Sequence, residues 1–368
     1  MKHGLVCLII ASVIACHVAV AQDSTTLKSP LSFSIGTYIN YGFIFAHSDK
    51  VQNTANAFPI GFTTALNWQR TDRQDFDLYR CLPRHSLLIA YYNFDKAILG
   101  KGVNISYSLE PHFMLSEKLS LYPKFSAGLG ILSNPHDSIS NPTNGSYSLP
   151  VNVYLALGVG LRWQFSKQWS MNLATEYQHI SNGGLYKPNV GMNFPTVGIG
   201  VEYSPQGLEL KKFVCSRGTK ETFRSRRLDV QIFGVTKYGD FTGTGKHYPI
   251  MGLNFTGSWR VSRIHAWTAA AEAYQDQYLQ ERASTEGVVS SGSRIGVLAG
   301  HEFLLGKYIF SQQIGMYLAG SHHNDLVYHR WGLLYFFKPK WSVGFNMLVH
   351  RQTADFTDLR VTYSFFRK

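Results

Sequence analysis

A long stretch of strict alternation constrains the fold of this chain more than any other feature. In Val151–Gln164 every second residue, from Val151 to Trp163, is large and apolar, and the residues between them are small or carry a polar group. A period of two is that of a β-strand, whose successive side chains point to opposite faces. Globular strands usually run about 5 to 6 residues, whereas a tilted membrane-spanning strand needs about 9 to 11. The segment therefore predicts a transmembrane β-strand.

Similar alternating segments recur along the chain and form two sets of eight. The first set covers 31–46, 58–69, 85–95, 102–114, 118–132, 148–164, 169–181 and 191–203. The second set covers 227–237, 248–261, 264–275, 293–303, 307–319, 325–337, 341–352 and 357–366. In the first set long connectors, such as 133–147 and 182–190, alternate with tight turns, as in outer-membrane barrels whose long loops are extracellular. The connector 70–84 is an exception, because it is long and falls on the predicted periplasmic side.

The second set resembles a repeat of the first. The segment "FSKQWSMNLATEYQHIS" (165–181) aligns with "FKPKWSVGFNMLVHRQT" (337–353). An even number of antiparallel strands can close without an unpaired edge, which is the condition for spanning lipid, and eight strands suffice for a small barrel. We therefore predict an all-β fold, a transmembrane antiparallel β-barrel arranged as two tandem eight-stranded barrels. One sixteen-stranded barrel is the alternative.

The start of the chain predicts export. Lys2, the apolar run Leu5–Ala15 and the small residues Ala19–Ala21 follow the order of a secretory signal peptide, predicted here as residues 1–21. The segment Val13–Cys16 also resembles a lipoprotein cleavage box and is kept as an alternative. No later run of about 18 apolar residues predicts a transmembrane helix. The predicted organisation is then a first barrel at 22–204, a basic periplasmic linker at 205–226 and a second barrel at 227–368.

Charge and cysteine content narrow the partners and the redox state. Charged residues make up 16% of the chain and the formal net charge is +12, which favours anionic partners. Because no nucleic-acid motif accompanies the charge, we expect a lipid surface that carries phosphate, and no nucleic acid. After signal removal Cys81 and Cys215 remain, as one disulfide or as two free thiols. A metal site at His322, His323 and Asp325 is the weaker interpretation of three exposed loop residues.

The segment "HISNGGLYKPNVGMNF" (179–194) carries the candidate chemistry. His179 and Ser181 lie two residues apart on the apolar, outward face of the seventh predicted strand. The imidazole can then reach the hydroxyl as a general base. Folding the hairpin about the loop 182–190 brings Asn193, which also points outward, beside His179. Asn193 is then placed to hold the imidazole tautomer, as asparagine does in Cys-His-Asn sites.

The loop that follows the serine is expected to complete this site. We expect Asn182, Gly183, Gly184 and Asn189 to donate hydrogen bonds to an oxyanion or to support the loop. A plainer interpretation is an interfacial band of polar residues, where even a charged side chain costs only about 0 to 1 kcal/mol. Three polar groups that converge on one outward patch weigh against that interpretation.

The same segment resembles the active-site hairpin of the lipid A 3-O-deacylase and acyloxyacyl hydrolase family. Members are eight-stranded outer-membrane barrels with His-x-Ser-Asn followed by Gly-Leu-x-x-Pro-Asn-x-Gly. The resemblance covers residues 30–204 as a domain and is specific over 177–203. It implies that His179 is the base and Ser181 the nucleophile of an esterase that acts on lipid A of lipopolysaccharide without a metal or cofactor, in the outer membrane of a Gram-negative bacterium. The third catalytic residue of the family is a glutamate, and this chain has Asn193 at that position.

Two alternatives remain open at the level of sequence. Outer-membrane phospholipase A, which is calcium-dependent, is similar at His-x-Ser-Asn-Gly. Its third catalytic residue is an asparagine, as at Asn193. Gly184-Leu185 and the residues 187–191 favour the deacylase instead. A non-enzymatic barrel, such as a channel, adhesin or scaffold, is the alternative of another class. In the second repeat Arg351 and Thr353 occupy the positions of base and nucleophile, which predicts a degenerate barrel without catalytic activity.

Overall fold

A computed structural model describes residues 31–213, 225–241, 245–320, 325–351 and 353–365. The predicted signal peptide, half of the predicted basic linker, Cys215, His322 and His323 lie outside the described residues. The first eight strands are β1 (Ser32–Gly42), β2 (Ile60–Gln69), β3 (Leu82–Asn93), β4 (Lys101–Met114), β5 (Leu119–Leu132), β6 (Val151–Gln164), β7 (Trp169–Ser181) and β8 (Met192–Tyr203). The next eight are β9 (Arg226–Gly239), β10 (Lys246–Arg260), β11 (His265–Asp276), β12 (Ser293–Leu305), β13 (Tyr308–Ala319), β14 (Val327–Lys338), β15 (Trp341–His350) and β16 (Thr353–Ser364).

The strands form two closed antiparallel barrels. β1 to β8 make the first barrel and β9 to β16 the second, and in each the last strand pairs with the first. The prediction of two tandem eight-stranded barrels is therefore confirmed, and the alternative of one sixteen-stranded barrel is wrong. We call the end of the first barrel that carries the connectors 43–59, 94–100, 133–150 and 182–191 its loop end. The loop end of the second barrel carries 240–245, 277–292, 320–326 and 351–352.

The two faces of the strands have opposite chemistry. On β6 the side chains of Leu157 and Trp163 are 58% and 51% exposed, whereas Tyr154 and Arg162, of the other parity, are 4% and 0% exposed. The outward face of both barrels is therefore an apolar belt, as in transmembrane barrels. The fold is a transmembrane antiparallel β-barrel, as predicted.

Ion pairs fill the interior of both barrels. In the first, Arg84 is paired with Glu110 and Glu202, and Arg162 Nη2 lies 2.8 Å from Glu202 Oε1. In the second, Arg330 lies 2.7 Å from Asp358 and 3.1 Å from Glu272. Buried charges require such partners, and an eight-stranded lumen is narrow enough for side chains to fill it. These cross-lumen pairs weigh against a channel.

Among the described residues, two short α-helices lie in connectors between the predicted strands, α1 (Arg73–Tyr79) and α2 (Gln277–Thr285), and a 3-10 helix lies at Asp49–Thr54. Asp72 caps α1 by accepting the Asp75 N–H at 2.8 Å. Phe76 of α1 packs against Leu208 and Leu210, so the segment after β8 covers the end of the first barrel opposite its loop end. No helix among the described residues is long and apolar enough to span a membrane.

The cysteine between α1 and β3 is a buried, free thiol. This residue is Cys81, one of the two cysteines in the predicted alternatives. Its predicted partner, Cys215, lies outside the described residues.

Candidate active site

The hairpin of β7 and β8 brings the three candidate residues together. His179 and Asn193 are directly opposite each other in the ladder, and Ser181 is the last residue of β7. Their inward neighbours, Gln178 and Ile180, are 1% and 0% exposed. The predicted register is confirmed, and the strand parity places His179 and Ser181 on the outward face at the loop end.

A chain of hydrogen bonds joins the three side chains. His179 Nε2 lies 2.9 Å from Ser181 Oγ, and His179 Nδ1 lies 2.6 Å from Asn193 Oδ1. An amide oxygen can only accept, so the imidazole Nδ1 carries the proton and donates it to Asn193. This tautomer leaves the lone pair of Nε2 free to accept the Ser181 hydroxyl proton. An arrangement of this kind can activate a serine hydroxyl as a nucleophile.

A fourth residue, His47, belongs to this network. It follows β1, and its Nδ1 lies 2.9 Å from Asn193 Nδ2. Phe45 N–H also donates to the Asn193 carbonyl at 2.8 Å, which fixes the backbone at this point. His47 Nδ1 also lies 3.4 Å from the Phe45 carbonyl oxygen, but the 2.9 Å contact with Asn193 Nδ2 is the shorter one. Because an amide nitrogen can only donate, His47 Nδ1 accepts, and this contact turns the Asn193 oxygen toward His179.

Sequence reasoning missed His47 for a topological reason. His47 and Asn193 are 146 residues apart, and they meet because β1 closes the barrel against β8. Alternation within one segment does not show that closure. Extending the β1 to β8 register beyond the paired residues is the signal that finds it, because Phe45 then falls opposite Asn193 and His47 lies two residues further on.

The residues predicted as oxyanion donors mostly hold the loop. Asn182 N–H donates to Asn189 Oδ1 at 3.0 Å, and Gly184 N–H donates to Asn182 Oδ1 at 3.0 Å. The Asn182 amide nitrogen contacts Tyr186 O at 3.0 Å. Of the backbone donors expected for an oxyanion, those of Asn182 and Gly184 therefore already have acceptors. The Gly183 N–H has no acceptor within the part of the chain that the structure describes.

The absence of a side chain at Gly191 leaves space for the His179 imidazole. The φ of Gly191 is +84°, and a Cβ at this position would lie 2.7 Å from His179 Cε1. The neighbouring connector holds this backbone, because Val190 N–H donates to Gly145 O at 3.0 Å and Gly191 N–H donates to Ser146 O at 2.9 Å. Only glycine combines this backbone conformation with the close approach of a ring.

An interior cluster supports the hairpin from below. Ile180, Met192 and Phe194 alternate with the site residues on β7 and β8 and pack with Tyr92 and Phe94. All five are at most 2% exposed. The outward residues therefore stand on a packed base, as a preorganised site requires.

The corresponding hairpin of the second barrel lacks the loop. β15 ends at His350 and β16 begins at Thr353, so the connector is 351–352, against 182–191 in the first barrel. Arg351 lies in this turn, is exposed and is paired with Asp325 at 3.0 Å. The side chain of Thr353 is not described. Within the described ranges, no three His, Cys, Asp or Glu side chains are grouped as metal ligands.

The fold and the site define a class, a membrane-embedded β-barrel hydrolase. Two family models match the chain, "Lipid A 3-O-deacylase (PagL)" over residues 56–202 and "Acyloxyacyl hydrolase, C-terminal domain" over residues 226–368. The chain belongs to this lipid A deacylase and acyloxyacyl hydrolase family, which confirms the resemblance seen at 177–203.

Solved structures with similar architecture include small barrels and porins. The outer membrane enzyme PagL is 15% identical, with 45% of this chain and 97% of that chain covered and a TM-score of 0.32. Ail, the attachment invasion locus protein of Yersinia pestis, is 18% identical, with coverage of 47% and 96% and a TM-score of 0.29. The NanC porin is 7% identical, with coverage of 90% and 100% and a TM-score of 0.17. No curated protein sequence matches the chain.

Proposed function

We propose that this protein is an outer-membrane serine esterase that removes an ester-linked acyl chain from lipid A of lipopolysaccharide. The observation that carries the proposal is the hydrogen-bonded Ser181, His179 and Asn193 on the outward face, at the loop end of the first barrel. In outer-membrane barrels the longer loops are extracellular. The site then opens to the outer leaflet, where lipopolysaccharide lies, and the family description names the same substrate.

The reaction begins with proton transfer from Ser181 Oγ to His179 Nε2 across the 2.9 Å hydrogen bond. The oxygen attacks the ester carbonyl and forms a tetrahedral oxyanion. Collapse of that intermediate leaves the acyl group on Ser181, and His179 gives its proton to the departing ester oxygen, which leaves as an alcohol. Water, deprotonated by His179, then hydrolyses the acyl-enzyme and releases the fatty acid. We expect the Gly183 N–H, which has no acceptor among the described residues, to donate to the oxyanion.

Asn193 and His47 keep the base in its productive form. Asn193 Oδ1 accepts from His179 Nδ1 and so holds the proton away from Nε2. Unlike a carboxylate, an amide can also present its nitrogen, and that orientation would leave the proton on Nε2, where it blocks the serine. His47 opposes this reversal by accepting from Asn193 Nδ2. The neutral amide offsets no imidazolium charge, so we expect a slower enzyme than one with a carboxylate at this position.

The test removes the nucleophile and the base one at a time. Ser181→Ala and His179→Ala should each abolish fatty-acid release from lipopolysaccharide, and mass spectrometry of lipid A should show every acyl chain in place. Barrels that keep their heat-modifiable mobility in gel electrophoresis show that folding is intact. Hydrolysis that persists in either folded variant would contradict the proposed mechanism.

Asn193 favours a second candidate, a phospholipase A of the calcium-dependent type. Such an enzyme should prefer phosphatidylethanolamine and lose activity in EDTA, because calcium would complete its oxyanion site. If the protein is a lipid A deacylase, its activity should be unchanged by EDTA. Asn193→Glu should then keep or raise that activity, since a carboxylate stabilises the imidazolium. Hydrolysis of phosphatidylethanolamine that EDTA abolishes, with none of lipid A, would select the phospholipase.

A further inference from the structure

The loop that follows the candidate nucleophile reaches the second barrel. Its exposed tip, Tyr186, stacks on Tyr238 of β9 with ring centroids 5.5 Å apart and 23° between the planes. It also meets His247 of β10 edge-on at 5.4 Å. Tyr238 and His247 are paired neighbours in the β9 to β10 ladder, and their own rings lie 5.6 Å apart. The three rings therefore form a closed cluster, which we call the ring clamp.

The ring clamp has polar and cationic reinforcement. Tyr238 N–H donates to Gly184 O at 3.4 Å, a backbone bond between the two barrels. Lys187 Nζ lies 5.9 Å from the ring centroid of Tyr278 in α2, within cation–π range. Three successive parts of the loop, at 184, 186 and 187, thus have partners at the loop end of the second barrel.

The loop gets limited support from its own barrel around the tip. Gly183 and Gly184 have φ of +65° and +85°, and a Cβ at Gly183 would meet no atom within 4 Å. Asn182 links the tip to the site, because its side chain donates to Tyr186 O at 3.0 Å and it directly follows Ser181. The position of Tyr186 is therefore transmitted to the Gly183 N–H and the serine through one residue.

We infer that the second barrel is a positioning domain for the active-site loop, with Tyr238 and His247 as the residues that hold Tyr186. This inference rests on the proposed function for its effect on rate, but the contact itself does not. The second barrel lacks a loop of its own at 351–352, and its outward face at β9 and β10 carries two rings that make contact with the first barrel. The second barrel then contributes to catalysis by the first.

The test uses the full-length protein and the variants Tyr238→Ala and Tyr238→Phe. Loss of the ring should raise hydrogen–deuterium exchange in 182–190 and lower kcat for lipopolysaccharide roughly fivefold, as expected for loss of aromatic pair contacts. Tyr238→Phe keeps the ring and should behave as the wild type. Tyr363→Ala is the matched control, because Tyr363 is an outward tyrosine of the same barrel with two ring neighbours of its own.

A double substitution separates the ring clamp from a general loss of packing. If Tyr186 and Tyr238 act through each other, adding Tyr186→Ala to Tyr238→Ala should lower kcat little beyond the single change. Independent effects that multiply would overturn the inference, as would unchanged exchange in 182–190, or freer exchange with unchanged kcat. If the wild type releases no fatty acid from lipopolysaccharide, the proposed function fails, and the exchange experiment still decides whether the second barrel holds the loop.

Discussion

Replacing His47 by alanine removes the acceptor that turns the Asn193 amide. In the wild type, Asn193 Nδ2 lies 2.9 Å from His47 Nδ1 and Asn193 Oδ1 lies 2.6 Å from His179 Nδ1. Reversing the amide would set its nitrogen against His179 and move the imidazole proton to Nε2. His47→Ala should therefore shift molecules toward an orientation in which Ser181 has no base.

The size of the effect follows from the bond that is lost. A neutral hydrogen bond of this kind contributes about 1 kcal/mol, and that difference is roughly a fivefold population ratio. If the two amide orientations become equal, half of the molecules are productive and kcat falls about twofold. If the reversed orientation becomes favoured by about 1 kcal/mol, kcat falls about sixfold. KM should stay the same, since the change acts on the base rather than on lipid contacts.

The decisive measurement repeats the change in an Asn193→Asp background. Both oxygens of a carboxylate accept, so there is no orientation left for His47 to fix. His47→Ala should then no longer lower kcat for fatty-acid release from lipopolysaccharide micelles. His301→Ala, which removes an outward histidine of β12, is the matched control and should not change kcat in either background.

Two results would refute this reasoning. An equal fall of kcat in both backgrounds would mean that His47 supports the end of β1 and not the amide. An unchanged kcat for His47→Ala in the wild-type background would mean that Asn193 is oriented without it.

Three further predictions concern other contacts. Gly191→Ala should lower kcat at least about tenfold, because the left-handed backbone costs an alanine about 1 to 2 kcal/mol and the new Cβ would lie 2.7 Å from the His179 ring. Gly207→Ala, measured in the same kinetic assay, is the control, because Gly207 also has a left-handed backbone (φ +74°) but is remote from the site. Burial and the nearby Asp75 carboxylate raise the pKa of the Cys81 thiol to about 12. Maleimide labelling of the folded protein should therefore be slow at pH 8, and its rate should rise with pH up to that range. A labelling rate that levels off near the ordinary thiol pKa of about 8.5 would contradict this prediction. Arg84→Met should destabilise the first barrel by about 3 to 5 kcal/mol in urea unfolding, because it leaves buried carboxylates unpaired.

The sequence is sufficient to predict the strands because one solvent acts on each face of them. Lipid outside and a narrow polar lumen inside impose a period of two on every strand, and fourteen residues of it in β6 leave no shorter element to consider. The same period fixes parity, and parity with a symmetric hairpin places Asn193 opposite His179. Such local rules predict contacts within one hairpin and no further.

What the sequence does not show depends on distant or short-range detail. The helix α1 occupies 73–79, which is too short for its periodicity to stand out from a connector. His47 meets Asn193 only because β1 closes on β8, and the ring clamp forms only when the second barrel is folded beside the loop. The hydrogen bonds of the loop depend on side-chain orientation, because the Asn189 side chain accepts from the Asn182 N–H and the Asn182 side chain donates to Tyr186 O, in place of facing a substrate. No pattern along the chain distinguishes these two uses of an asparagine.

The parity of β7 also explains how one barrel and its repeat can diverge in function while they keep the fold. Inward residues such as Asn172 and Gln178 bond within the lumen, to Glu202 at 3.3 Å and to Thr196 at 2.7 Å, and these contacts stabilise the closed sheet whatever lies outside. Outward residues at the loop end meet lipid and carry little of that stability. A repeat can therefore exchange its outward residues and shorten its loop without losing the barrel, provided that its lumen keeps pairs such as Arg330 with Asp358. The outer face of such a barrel is then free to hold the loop of its neighbour, which is the task that Tyr238 and His247 are placed to perform.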